Sequence, residues 1–335
     1  MTVKADRFQG ISFAHSDPSG KFLTEYDGFA DKENNITVDE DTVFPACSIS
    51  KFVTALCIMK AYEQKYIDID SAVNLYLSSW KLLTADGAES DASIRSLLSH
   101  TAGVMDGEDA FYGLRRNDPE ISLIDVLEGK TSYNPSPARV EKTPGEEFEY
   151  SDAGYCILQL LLEDLLHKPF EKIAKEFIFD PLDLKRTFFA SSENVDLFEK
   201  ECVMATGYDE DGQPVPGKYP QIPDLTASGL WSTPGELLTI AEEFVKACNG
   251  SSPLLGKQYA LEIAKPDERF TWTGLGVFMG GENEIVSRGW GENGQSMMKV
   301  NIQTGEIAVV MTNQNPGVDQ AESGLEDLIN RSFSQ

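Results

Sequence analysis

Strand-like stretches lie at both ends of this 335-residue chain, and the middle reads as helix and loop. Residues 9–15 and 23–29 read as strand-like runs on either side of Asp17-Pro18-Ser19-Gly20-Lys21, a turn signal, which predicts a hairpin. Past residue 268 the pattern repeats: 270–278, 284–290, 296–302 and 306–312 read as four strands with Gly-rich turns, and 321–333 as an amphipathic helix. Between them the 3.6-residue period predicts helices over 93–102, 121–127, 152–166, 170–179 and 234–248. One sheet fed by both termini, with a helical insertion, satisfies this order most simply.

The stretch Phe44-Pro45-Ala46-Cys47-Ser48-Ile49-Ser50-Lys51 reads as a short extended segment entering an amphipathic helix that runs to about Lys65. Ser48 then falls in its first turn, with Lys51 on the same face one turn on. A hydroxyl needs a base to act as a nucleophile. A lysine whose pKa is lowered by burial can be that base, and helix-terminal N–H groups can hold an oxyanion. S-x-x-K is a short pattern, and it recurs at Ser78–Lys81 and Ser296–Lys299. Context separates the three: only the first opens a long apolar-faced helix. Alone, Ser48 is equally a helix cap, and the two other serines are expected at the surface.

A chain with 41% hydrophobic and 10% aromatic residues is a folded globular protein. Its formal charge of −27 disfavours nucleic acid and anionic membranes as partners, and no apolar run reaches the length of a membrane span. No apolar signal core follows the charged N-terminus, so a native start at Met1 implies a cytoplasmic protein. Five scattered cysteines fit a reducing compartment. His15, His100 and His167 lack ligand spacing, so no zinc site is expected.

Pro144-Gly145 leads to Tyr150-Ser151-Asp152 just ahead of the apolar 152–166 helix, where a tyrosine can face a cleft while the helix packs behind it. The order S-x-x-K, then Tyr-Ser-Asp-Ala-Gly-Tyr, resembles the serine β-lactamase and penicillin-binding-protein superfamily, in its class C-like branch of esterases, D-peptidases and β-lactamases. Other segments agree in order: Leu97-Leu98-Ser99-His100-Thr101-Ala102-Gly103, Pro181-Leu182-Asp183-Leu184, Ala227-Ser228-Gly229-Leu230-Trp231-Ser232-Thr233 and Met311-Thr312-Asn313-Gln314. Together they span about residues 8–330.

The resemblance implies an α+β fold: an antiparallel sheet flanked by helices and built from both chain ends (1–55 and 246–335), packed against an all-helical domain (56–245). It implies acyl transfer through a Ser48 ester, with Lys51 and Tyr150 moving the proton, a small-molecule acyl substrate, and no metal or cofactor. The oxyanion would be held by the Ser48 N–H and one from the strand near Asn293. The family's Tyr-x-Asn falls on Tyr150-Ser151-Asp152, with Asp152 in place of the amide. Its third motif, Lys-Thr-Gly or His-x-Gly, falls near Trp290-Gly291-Glu292-Asn293, with Trp290 in the place of the cation and Glu292 in that of a glycine. These four residues and Asp152 are the expected substrate contacts, with Trp290 as an apolar wall and Glu292 as a charge that repels carboxylates. His100 reads as a cap or packed residue at a helix end, and Trp231 as core or cleft wall. Three functions fit: a carboxylic-ester hydrolase or acyltransferase, a β-lactamase or D-peptidase, and a catalytically silent binding or sensor protein on the same fold.

Overall fold

The computed structural model describes residues 3–333. Strands β1 (Gly10–Ser16) and β2 (Phe22–Asp31) form the N-terminal hairpin, followed by the short β3 (Ile36–Thr37). Asp17 Oδ1 closes the turn by accepting the N–H groups of Ser19 at 2.8 Å and Lys21 at 3.0 Å. The chain returns to the same sheet with β4 (Phe278–Gly281), β5 (Glu284–Gly291), β6 (Gly294–Asn301) and β7 (Ile307–Thr312). The spatial order is β3-β2-β1-β7-β6-β5-β4, every neighbour antiparallel. The two chain ends meet at the β1–β7 pair, where Phe13 lies opposite Val310. The sheet is thus built from both ends of the chain.

Period-two alternation divides the sheet's apolar residues between two cores. Phe13, Val286, Met297 and Val310 point to one face, against Leu325 and Ile329 of the C-terminal helix. Ala14, Ile285, Met298, Val300, Val309 and Met311 point to the other and join the main core. That core also holds helices α1 (Ser50–Glu63), α2 (Asp152–Leu166) and α3 (Pro234–Cys248). Helix α3, which spans the expected boundary at 245–246, packs on β1 and β7; Thr233 caps it and Pro234 occupies its first turn. No helix among the described residues is long and apolar enough to cross a membrane.

Three expectations need correction. Helix α1 is not amphipathic: every residue from Ser50 to Met59 is buried, because other helices, among them 225–228, 257–263 and α2, pack around it in the main core. A helix apolar on all sides is an interior helix. Residues 270–277 are turns, and only 278–281 pairs as strand. Gly276 breaks the run with φ +72°, where a Cβ would lie 2.5 Å from Lys51 O. The terminal helix is divided at Gly324 (φ +90°) into Gln320–Ser323 and α4 (Leu325–Ser332).

Candidate active site

The segment before Ser48 is held extended by a small sheet in which Phe44 pairs with Ser232 and Pro45 with Trp231. The chain then tightens into a 3₁₀ turn, Cys47–Ile49, one turn ahead of α1. Ser48 therefore precedes the helix rather than lying within it. Cys47 takes a left-handed backbone, φ +48°, a conformation costly for a residue with a Cβ and found where tertiary packing enforces it. The packing is visible: a Cβ on Gly289 of β5 would strike Ala46 O and Ser296 Oγ, so only glycine lets this strand lie against the turn. Between Thr42 and Met59, Ser48 alone is not buried. Its neighbour Cys47 is enclosed, and burial pushes that thiol up to about 12, leaving the Ser48 hydroxyl as the accessible group of the pair.

Lys51 Nζ lies 3.1 Å from Ser48 Oγ, 2.6 Å from Asp152 Oδ1 and 3.0 Å from Ala227 O, so all three of its donors are used. Burial pushes the ammonium pKa down, but the charges of Asp152 and then Tyr150 outweigh it and hold the group above its ordinary value. This differs from the expectation of a lysine whose pKa burial lowers so that it can act as the base: with the Asp152 carboxylate beside it, Lys51 is held as a cation. Tyr150 lies beside it, with Lys51 Nζ 4.8 Å from the ring centroid. Burial raises the phenol pKa and Asp152 raises it further, while Lys51 and hydrogen bonding with Lys51 and Ser48 pull it back.

His100 sits behind Tyr150, stacked on it at 4.3 Å between ring centroids. Its Nδ1 accepts the Ser151 N–H at 3.1 Å. Burial, then Lys51, hold the imidazole well below its ordinary pKa, so it is neutral with its proton on Nε2 and positions Tyr150 by packing. Ser151 caps α2 by accepting the Gly154 N–H.

Three residues without a sequence signal complete the surroundings. Asp106 accepts Ser151 Oγ–H at 2.8 Å and the N–H groups of Asp152 and Ala153 at 2.7 and 3.0 Å. Burial and Asp152 raise it to about 6. Asp224 is fully enclosed and accepts Tyr133 Oη–H at 2.7 Å, while its Oδ2 has no partner. Burial and Asp152 raise it to about 7 from 3.8. In the unfolded chain Asp224 ionises near 3.8, so between that pH and 7 the folded state holds an extra proton and stability falls as pH rises. Asp224→Asn removes this loss. Relative to wild type, the variant should gain roughly 2–4 kcal/mol in unfolding free energy between pH 4.5 and pH 8. Urea melts at the two pH values measure it; a pH-independent difference would mean that Asp224 is ionised throughout.

Of the third-motif residues, only Gly291 faces the nucleophile segment, with a hypothetical Cβ 3.0 Å from Cys47 Sγ. Trp290 does not form the cleft wall expected of it. Alternation along β5 puts it on the face opposite Gly289 and Gly291, and its indole N–H donates to Asn315 Oδ1 at 2.8 Å. Asn293 is buried against Gly207. Glu292 is not a free charge: Oε1 accepts the Gly113 N–H at 2.6 Å and Oε2 pairs with Arg115 Nη1 at 2.8 Å. The expectation that it repels carboxylates falls with that pairing. Glu292 instead latches a strap, residues 105–116, which is rooted by Asp106 on α2 and by Phe111 on Tyr133, ring to ring at 5.5 Å. Within the strap, partial burial and then the Glu292 charge raise the Tyr112 phenol pKa.

The other S-x-x-K matches form no such pair. Lys81 Nζ donates to Asn74 O and Leu77 O, and Lys299 pairs with Glu284. Ser296 is buried rather than at the surface, its hydroxyl donating to Ala46 O at 2.6 Å beneath the nucleophile turn. Trp231 is core, packed edge-on against Tyr219.

The site thus combines a sheet built from both chain ends, a turn presenting one accessible serine, and a buried lysine bonded to that serine. The sequence matches the Beta-lactamase family over residues 2–329, and the chain belongs to that family. It is 25% identical over 228 residues to Protein flp of Staphylococcus aureus (strain MW2), covering 66% of this chain and 41% of that protein. It is 26% identical over 170 residues to Esterase EstB of Burkholderia gladioli, covering 50% of this chain and 43% of that protein. The chain thus spans about two fifths of the length of these curated relatives. Among solved structures, D-amino acid amidase from Ochrobactrum anthropi SV3, complexed with L-phenylalanine amide, superimposes with a TM-score of 0.79 at 19% identity, covering 98% of this chain and 94% of that one. At that identity the likeness is one of fold.

Proposed function

We propose that the protein is a serine hydrolase that forms an acyl ester on Ser48 and acts on small neutral carboxylic esters or amides. The observation that carries this reading is the 3.1 Å contact of Lys51 Nζ with the one accessible hydroxyl of the turn, with Tyr150 beside both. Lys51, kept cationic by Asp152, lowers the cost of placing negative charge on Tyr150. In the enzyme form whose Tyr150 is ionised, its oxygen takes the Ser48 proton as Oγ bonds to the acyl carbon. The carbonyl electrons move to oxygen, and the Ser48 N–H with the free edge of β5 near Gly289–Gly291 supplies donors for that charge. The bond to the leaving atom then breaks, and Tyr150 returns the proton to it. Water repeats the sequence in reverse and frees the acid.

Both an ester and an amide fit, and each has support in the comparisons: EstB is named as an esterase, and the fold neighbour is an amidase. Neutral substrates are favoured over carboxylate-bearing β-lactams because the third motif supplies no free cation. Trp290 is turned away, and the two strap arginines are already paired, Arg115 with Glu292 and Arg116 with Asp196 and Glu199. We expect kcat/KM for nitrophenyl acetate or butyrate to exceed that for a chromogenic cephalosporin by at least about 100-fold, equivalent to losing one charged hydrogen bond. A wide preference for the cephalosporin would replace this reading with a β-lactamase.

A further inference from the structure

The cleft follows the free edge of β5, and its two ends differ. At the Glu292 end the strap is latched down, and Tyr112 stands near Cys47. At the other end the floor is aromatic. Tyr150 is sandwiched between His100 and Phe278, with ring centroids 4.3 and 6.3 Å away and planes within 26° and 19°. Phe148 lies 6.4 Å from Phe278 and 6.0 Å from Trp272, and Phe270 closes the group 5.4 Å from Trp272. Two of these rings are open to solvent, Trp272 at 51% and Tyr150 at 39% exposed, while Phe148, Phe270 and Phe278 are half-buried. Most large aromatics are buried on folding, so a contiguous, partly exposed cluster beside a reactive group is an informative exception. The residues come from two separate segments, 148–150 and 270–278, which are brought together only by the fold.

The chemistry at Tyr150 says which part of a substrate reaches this terrace. Tyr150 must hand the serine proton to the leaving atom as the acyl bond breaks, so that atom lies at hydrogen-bond distance from its oxygen. The aromatic neighbours that such a leaving group can extend toward are Phe278, 6.3 Å from the Tyr150 ring, and beyond it Phe148 and Trp272. Phe278 pairs with Val286, three residues along β5 from Gly289, a span of about 10 Å. We propose that Phe278, Phe148 and Trp272 form a leaving-group subsite, and that the alcohol or amine released by this enzyme is a flat aromatic or bulky apolar one. The proposal rests on the reading of Ser48 and Tyr150 given above. The acyl part lies toward the strap and is correspondingly small.

Two acetyl esters whose alcohols have nearly equal acidity, 2-naphthylmethyl acetate and methyl acetate, isolate the subsite from chemical reactivity. Wild type should show kcat/KM at least about 30-fold higher for the naphthylmethyl ester. Trp272→Ala, which removes a half-exposed ring, should lower kcat/KM for that ester about tenfold, the order expected for one aromatic contact, and leave methyl acetate within about twofold. Phe278→Leu should do the same while retaining Ser48 labelling by a fluorophosphonate. A wild type that hydrolyses both esters equally, or a Trp272→Ala variant that loses both to the same degree, would overturn the subsite and leave the Ser48 reading intact. A wild type that hydrolyses neither ester and takes no label would overturn both.

Discussion

Ser48→Ala should lower kcat/KM for a nitrophenyl ester by about 10⁴- to 10⁶-fold, the scale of losing a nucleophile. The size follows from the geometry. The only other hydroxyl at the lysine among the described residues is the Tyr150 phenol, which moves the proton in the proposed mechanism, and the adjacent Cys47 thiol is buried with its pKa raised to about 12, so it cannot stand in. The fold should survive, because Ser48 caps no helix and its hydroxyl bonds only within the site. Ser296→Ala is the contrasting control. Its hydroxyl supports the turn through Ala46 O, so its loss should reduce stability and rate modestly but leave the nucleophile labelled. Ser78→Ala should change neither. Retention of more than about one hundredth of the activity by Ser48→Ala would remove that residue from the chemistry.

Lys51→Ala and Tyr150→Phe should each cost about 10³-fold or more, and the double variant little beyond the worse single one. Both side chains serve one proton, so their losses overlap. Lys51→Ala carries a second consequence. Asp152 loses its ion-pair partner in a site that also holds the Asp106 and Asp224 carboxyls, so its part-buried charge is left uncompensated. The Lys51→Ala/Asp152→Asn pair should therefore recover thermal stability relative to Lys51→Ala without recovering rate. Strict additivity of the Lys51 and Tyr150 losses in free energy would mean that the two act on separate steps.

Much of this was written in local patterns. The alternation of 284–312 carries both faces of the sheet, because each strand buries apolar side chains on two sides. The turn at 17–21 fixes the N-terminal hairpin. The S-x-x-K spacing brings Ser48 and Lys51 together because three residues of helix or 3₁₀ turn bring them to one side. What the sequence could not show depends on partners far away in the chain. Glu292 reads as a free charge until Arg115, 177 residues earlier, is placed against it. Asp224 reads as a loop residue until Tyr133 and Asp152 are beside it. The basicity of Lys51 turned on whether burial or Asp152 wins, and that is a question of a 2.6 Å contact rather than of composition. Two errors had a usable signal. Glycines at 289 and 291 flank Trp290, so once the glycine face is set against the serine turn, alternation sends the indole the other way. Gly274 and Gly276 interrupt the 270–278 run, so Phe270 and Trp272 fall outside the strand, which begins only at Phe278.

The central claim is that one hydroxyl in this chain becomes an ester. Intact-mass spectrometry after exposure to a fluorophosphonate, followed by peptide mapping, tests it most directly. The account predicts a single added phosphonyl group, on the peptide containing Ser48 and on Ser48 itself, absent from Ser48→Ala and strongly slowed in Tyr150→Phe. An adduct on any other residue, or a wild-type chain that stays unmodified under conditions that label a known serine esterase completely, would contradict it.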